Sequence, residues 1–147
     1  MNKYRGDRKE RLALSSYIKL FRATETVSSK VHSHLADAKL TTSQFGVLEA
    51  LYHLGPMCQR DIAKKILKST GNLTTVIDNL EKRNLVKRER NEDDRRYFNV
   101  ILTEKGRKLM RKIFPEHASR ILQAMDNLTE REQKQFGILC KKLAGKA

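Results

Sequence analysis

The stretch from Gln59 to Thr103 constrains this chain more than any other. It reads helix, tight turn, helix, then two short extended runs on either side of a charged tip. The first helix is short, about Gln59 to Leu67, with Ile62, Ala63 and Ile66 expected to face inward. Lys68 marks the turn, and Ser69 suits the N-cap of the second helix, where a side-chain oxygen must accept from an orphan backbone N–H. In that second helix Leu73, Val76, Ile77 and Leu80 recur at the i, i+3, i+4, i+7 spacing of one apolar stripe. The opposite face carries Thr70, Asn72, Thr74, Thr75, Asp78, Asn79 and Lys82, and Asn84 stands where a left-handed C-terminal residue is expected. Leu85 to Arg90 and Tyr97 to Leu102 read as strands with valine, tyrosine, phenylalanine and isoleucine at inward positions. The sequence NEDDRR, Asn91 to Arg96, then forms the exposed tip.

The flanks read as helices. Leu14, Ile18, Phe21, Val27 or Ser28, Val31 and Leu35 predict a long amphipathic helix from about Arg11 to Ala38. Thr41 and Gln44 form a capping box that opens a helix with Phe45, Leu48, Leu51 and Tyr52 on one face, and Gly55-Pro56 stops it. Thr103 caps a long helix reaching about Met125, within which Pro115 is expected to produce a kink. Thr129 and Glu132 are a further capping box, before a helix with Phe136, Leu139, Cys140 and Leu143 on one face. The fold class is therefore mainly α with a small β-hairpin.

A length of 147 residues fits one domain with helical extensions. The formal net charge of +14 points to polyanionic partners rather than to any particular fold. The two cysteines, Cys58 and Cys140, are too few and too far apart for a disulfide framework or a zinc cluster, which suits a reducing cytoplasm. No apolar run is long enough to span a membrane, and the basic N-terminus lacks the apolar core of a signal peptide.

A polar-faced helix followed by a basic hairpin can read one DNA groove and grip the next. Gly71 lets the helix backbone approach the groove, and Ser69, Thr70, Asn72, Thr74 and Thr75 can donate to and accept from base edges or phosphates. The helix N-terminus favours a phosphate through its unpaired N–H groups and positive dipole end. At the tip, Asp94 and Arg96 lie two apart and point the same way in an extended strand, so the carboxylate can aim the guanidinium into a narrow minor groove. Lys87, Arg88, Arg90 and Arg95 are expected to meet phosphates around it.

The chain resembles the MarR family of bacterial winged helix-turn-helix regulators. The resemblance is carried by LTTSQFGVLEAL from Leu40, QRDIAKKI from Gln59, STGNLTTVIDNLEKRNLVKR from Ser69 and DDRRYFNVILTEKG from Asp93. It implies a single domain over 1–147, with a winged helix-turn-helix at 41–103 and dimerisation helices at 1–38 and 107–147. It also implies a homodimer, in which the flanking apolar stripes find the core that each lacks alone. A twofold dimer places its recognition helices about one DNA turn apart, so the operator should be near-palindromic. The resemblance further implies a repressor of transcription released by a small aromatic or phenolic effector, with His32, Phe45 and Tyr52 as candidate lining residues. One branch of the family senses peroxides through a cysteine in the first helix, and none lies between Arg11 and Ala38. Cys58 remains as a candidate redox residue, near a helix start with Arg60 close by. No cofactor is implied. His32 and His34 diverge on a helix, and His53 and His117 are distant in sequence, so no metal set is expected.

Other classes fit less well. A basic RNA-associated protein would need an aromatic platform, and the chain has no tryptophan. An enzyme would need a nucleophile elbow, a Cys/His pair or a phosphate loop, and GNLTT from Gly71 lacks the lysine and second glycine of a P-loop. A membrane-surface protein would need a basic helix face, where the flanking helices carry balanced charge.

Overall fold

The computed structural model describes residues 4–66 and 70–145. Its elements are α1 (Arg8–His32), a 3-10 turn (Ser33–Ala36), α2 (Thr42–Leu54), β1 (Met57–Cys58), α3 (Gln59–Ile66), α4 (Thr70–Lys82), β2 (Val86–Arg90), β3 (Phe98–Leu102), α5 (Glu104–Met125) and α6 (Glu130–Leu143). The chain divides into two compact units, one of Met1–Ser33 with Ala118–Ala147 and one of His34–His117.

The unit His34–His117 has one apolar core. Phe45, Val47, Leu48 and Leu51 of α2, Ile62 and Ala63 of α3, and Leu73, Ile77 and Leu80 of α4 enter it, closed by Val86, Val100, Leu102, Met110 and Ile113. Each helix contributes the stripe that its spacing predicts, with Tyr52, Ile66 and Val76 half-buried at the margin. Both predicted capping boxes form: Thr41 with Gln44, and Thr129 with Glu132. Gly55 ends α2 at φ 80, and Asn84 adopts the left-handed conformation at φ 58 after α4.

Four features differ from the sequence reading. First, α1 starts earlier, on a capping box of Asp7 and Glu10, and ends at His32, where the chain tightens into the 3-10 turn instead of running on to Ala38. Second, a third strand exists: β1 pairs antiparallel with β3 (Met57 opposite Val100, Cys58 opposite Asn99), giving the order β1-β3-β2. Third, the aromatic residues at the start of the second strand are exposed, while Val86, Val100 and Leu102 point inward. Phe98 lies opposite Arg90, whose guanidinium stands 5.3 Å from its ring centroid. Fourth, the 103–106 segment is a joint as well as a cap. Thr103 Oγ1 donates to the Asn84 carbonyl at 2.6 Å and accepts from Gly106 N at 3.0 Å. A Cβ at Gly106 would run into the carbonyl oxygen of Leu85. Pro115 lies inside the unbroken span of α5.

In the other unit, α1 buries only Val31 and α6 buries no residue. Leu12, Tyr17 and Phe21 of α1 and Ile138, Leu139 and Leu143 of α6 are exposed.

Candidate nucleic-acid interface

Helix α4 presents Gly71, Asn72, Thr74 and Thr75 to solvent in its first two turns. Among the described residues nothing stands within 4 Å of where a Cβ of Gly71 would be, so their packing does not demand a glycine there. Ser69 lies outside the described residues, as does the side chain of Thr70, the first residue of α4. One residue that the sequence reading does not single out touches this face: Gln59, at the start of α3, donates through Nε2 to Thr74 Oγ1 at 2.6 Å. An amide that donates to a hydroxyl on the next helix favours one rotamer of that hydroxyl.

The hairpin tip is a set of local hydrogen bonds. Asn91 Oδ1 accepts from the backbone N–H of Asp93 at 2.9 Å and of Asp94 at 3.1 Å, an Asx turn. Asn91 N donates to Tyr97 O at 2.9 Å and closes the tip. Asp94 then holds Arg96 three times: Oδ1 accepts from the Arg96 backbone N–H and from Nε, and Oδ2 accepts from Nη2 at 2.9 Å. The pairing read from sequence is present, but turn geometry produces it, because β3 starts only at Phe98. The Arg96 guanidinium and its backbone N–H hold the Asp94 carboxyl below its usual range, and the same side-chain bond raises the Arg96 pKa. The Arg96 side chain remains 84% exposed, so it is aimed yet available.

The other basic residues divide. Arg90 and Arg95 are exposed. Lys87 pairs with Glu89 at 2.7 Å, with both groups half in solvent. Arg88 is different: its guanidinium lies 2.7 Å from Asp78 Oδ1 and 3.0 Å from Glu81 Oε1, and it is only 23% exposed. Cys58, half-buried on β1, lines a cavity of about 210 Å³ with Gln59, Arg60, Arg88, Arg96, Tyr97, Phe98 and Val100.

A helix pair followed by a hairpin with a prearranged arginine can present two elements to DNA. Residues 40–98 match the profile of the MarR family. The transcriptional regulator MhqR of Bacillus subtilis is 34% identical over 131 residues, covering 89% of this chain and 90% of that one. The chain belongs to the MarR family. It is a DNA-binding transcriptional regulator of the winged helix-turn-helix type. The solved structure of Sco3205, a MarR family transcriptional regulator from Streptomyces coelicolor, in complex with DNA matches with a TM-score of 0.81 at 26% identity, covering 97% of this chain and 90% of that one. That of Bordetella bronchiseptica BpsR, whose DNA binding is regulated by 6-hydroxynicotinic acid, matches with a TM-score of 0.78 at 29% identity, covering 88% of this chain and 98% of that one.

The residues expected from sequence to line an effector site in this MarR-family chain fall into different settings. Phe45 is a core residue, 2% exposed, with its ring centroid 4.4 Å from that of the buried His117. Tyr52 is half-buried beside His53 and Phe114, at ring-centroid distances of 5.1 and 6.1 Å. His32, in the other unit, shares a hydrogen bond of 3.1 Å with Ser28. Cys140 is half-buried on α6. Among the described residues no group of three or more His, Cys, Asp or Glu side chains could hold a metal ion, and no helix is long and apolar enough to cross a membrane.

Proposed function

We propose that the chain acts as a homodimeric repressor of a near-palindromic operator, and that a small aromatic or phenolic compound releases it. The triple hold of Asp94 on an exposed Arg96 carries the DNA reading, because a guanidinium fixed in advance loses little freedom on entering a narrow minor groove. In this reading Ser69, Thr70, Gly71, Asn72, Thr74 and Thr75 meet the major groove, and Lys87, Arg90 and Arg95 meet phosphates. The exposed apolar faces of α1 and α6 support the dimer, since contiguous exposed apolar surface marks an interface. In this reading the winged helix-turn-helix is 41–103, with 1–38 and 107–147 as the dimerisation helices.

Regulation of BpsR by 6-hydroxynicotinic acid supports an aromatic effector. The half-buried ring cluster of Tyr52, His53 and Phe114 supports a lining role for Tyr52. Fluorescence anisotropy against the gene's own upstream DNA, a scrambled duplex and added salicylate tests the proposal. Preference for the upstream duplex with release by ligand is expected; equal affinity for both duplexes counts against a specific repressor. The arginine-lined cavity at Cys58 favours a second reading, release by oxidants. In that case peroxide lowers operator affinity in the native protein and not in Cys58→Ser.

A further inference from the structure

Arg88 departs from the pattern of the other hairpin arginines. It sits on β2, two residues after the buried Val86, so both side chains point the same way from the strand. Its fork meets Asp78 Oδ1 and Glu81 Oε1, three residues apart on one face of α4, and its backbone N–H donates to Glu81 Oε2 at 3.0 Å. Three bonds from one residue of the wing therefore end on two carboxylates of the recognition helix. Further along the strand, by about 7 Å, Arg90 lies instead over the exposed ring of Phe98, on its own hairpin.

We infer that Arg88 is a positioning residue that, with Asp78 and Glu81, fixes the angle between wing and recognition helix, and does not serve as a phosphate contact. The inference rests on the reading of α4 and the wing as the DNA-contacting pair. Two carboxylates beside a guanidinium oppose a phosphate at the same place, and a planar fork already engaged on both sides has little left to offer one. Such a strut decides whether helix and tip reach two grooves of one site at once. The consequence is sequence discrimination, not general affinity. Lysine cannot replace it, because one ammonium does not span two carboxylates as a fork does.

The sign of one experiment separates the alternatives. In Asp78→Asn/Glu81→Gln, two negative charges leave the DNA-facing side and Arg88 is freed. If Arg88 is a phosphate contact, affinity rises on operator and scrambled duplex alike. If it is a strut, operator affinity falls about tenfold while scrambled-duplex affinity holds or rises. Arg88→Met and Arg88→Lys are expected to lose the same discrimination. The triple variant Arg88→Met/Asp78→Asn/Glu81→Gln should discriminate no worse than Arg88→Met or the acid-neutralised pair. Thermal unfolding is recorded for each: a lowered Tm with an unchanged operator-to-scrambled ratio means a merely structural bridge and overturns the inference. Arg96→Ala runs beside them. If it leaves operator binding intact, the reading of the wing itself fails; if it abolishes binding while the acid-neutralised variant binds more tightly, only the strut fails.

Discussion

Both oxygens of Asp94 are engaged by Arg96, and the resulting orientation exists without DNA. Arg96→Ala is therefore expected to weaken operator binding strongly. Asp94→Ala is expected to weaken it only through lost orientation, so that the double variant is no worse than Arg96→Ala alone; additive losses in a titration series contradict that coupling. The pH behaviour follows from the direction of the shift. Asp94 has a lowered pKa in the fold, so the pair is present above the ordinary value and is lost only as pH falls through the lower one. An NMR titration of its carboxyl carbon should give a midpoint below the ordinary value of about 3.9, returning toward it in Arg96→Ala. Gly71 makes a sharper case, because stability and binding should move in opposite directions. Nothing in the described structure occupies the space of a Cβ there, so Gly71→Ala should stabilise α4 by up to about 1 kcal/mol. If the glycine serves close approach to DNA, the same variant binds operator less well; unchanged affinity removes that role.

At the scale of elements, the joint between wing and α5 holds more than its residues announce. Thr103 caps α5 and bonds the turn after α4, while Gly106 admits the Leu85 carbonyl against the helix backbone. Thr103→Val is expected to cost about 1–2 kcal/mol for the lost cap and the carbonyl left without its donor. Gly106→Ala should cost more, since the obstacle is backbone and cannot rotate away; denaturant unfolding of the two variants gives the order. The sequence speaks most clearly where partners are close along the chain. The Thr41–Gln44 and Thr129–Glu132 boxes and the stripes of α2 and α4 are local patterns, and all of them form. What stays hidden depends on distant partners. A two-residue strand such as β1 shows no alternation, and Cys58 lies far in sequence from its partner Asn99. Likewise nothing in the sequence around Arg88 shows that its guanidinium ends on Asp78 and Glu81. Asn91 is legible in principle, as an asparagine two residues before an aspartate in a turn, but the surrounding charges draw the eye to Asp94 and Arg96.

Over the whole molecule, the proposed dimer has a quantitative consequence. Leu139 is 53% and Leu143 71% exposed on α6, values that suit a face covered by a second copy. Leu139→Glu/Leu143→Glu places two carboxylates on that face and should turn a dimer into a monomer in sedimentation velocity. The His34–His117 unit has its own core, so the wing and α4 should keep their fold in the variant, as circular dichroism can verify. Binding of such a monomer is then a measure of one half of the assembly. For a protein that neutralises Z phosphates, log K falls against log salt with a slope of about −0.9Z. If a dimer lays two equivalent wings and helices on the operator, the monomer contacts half as many phosphates, so its slope should be about half that of the native protein. A monomer with the full slope would mean that a single copy makes every phosphate contact, and the twofold operator would lose its support. A native protein that sediments as a monomer would leave the apolar face of α6 with some other cover.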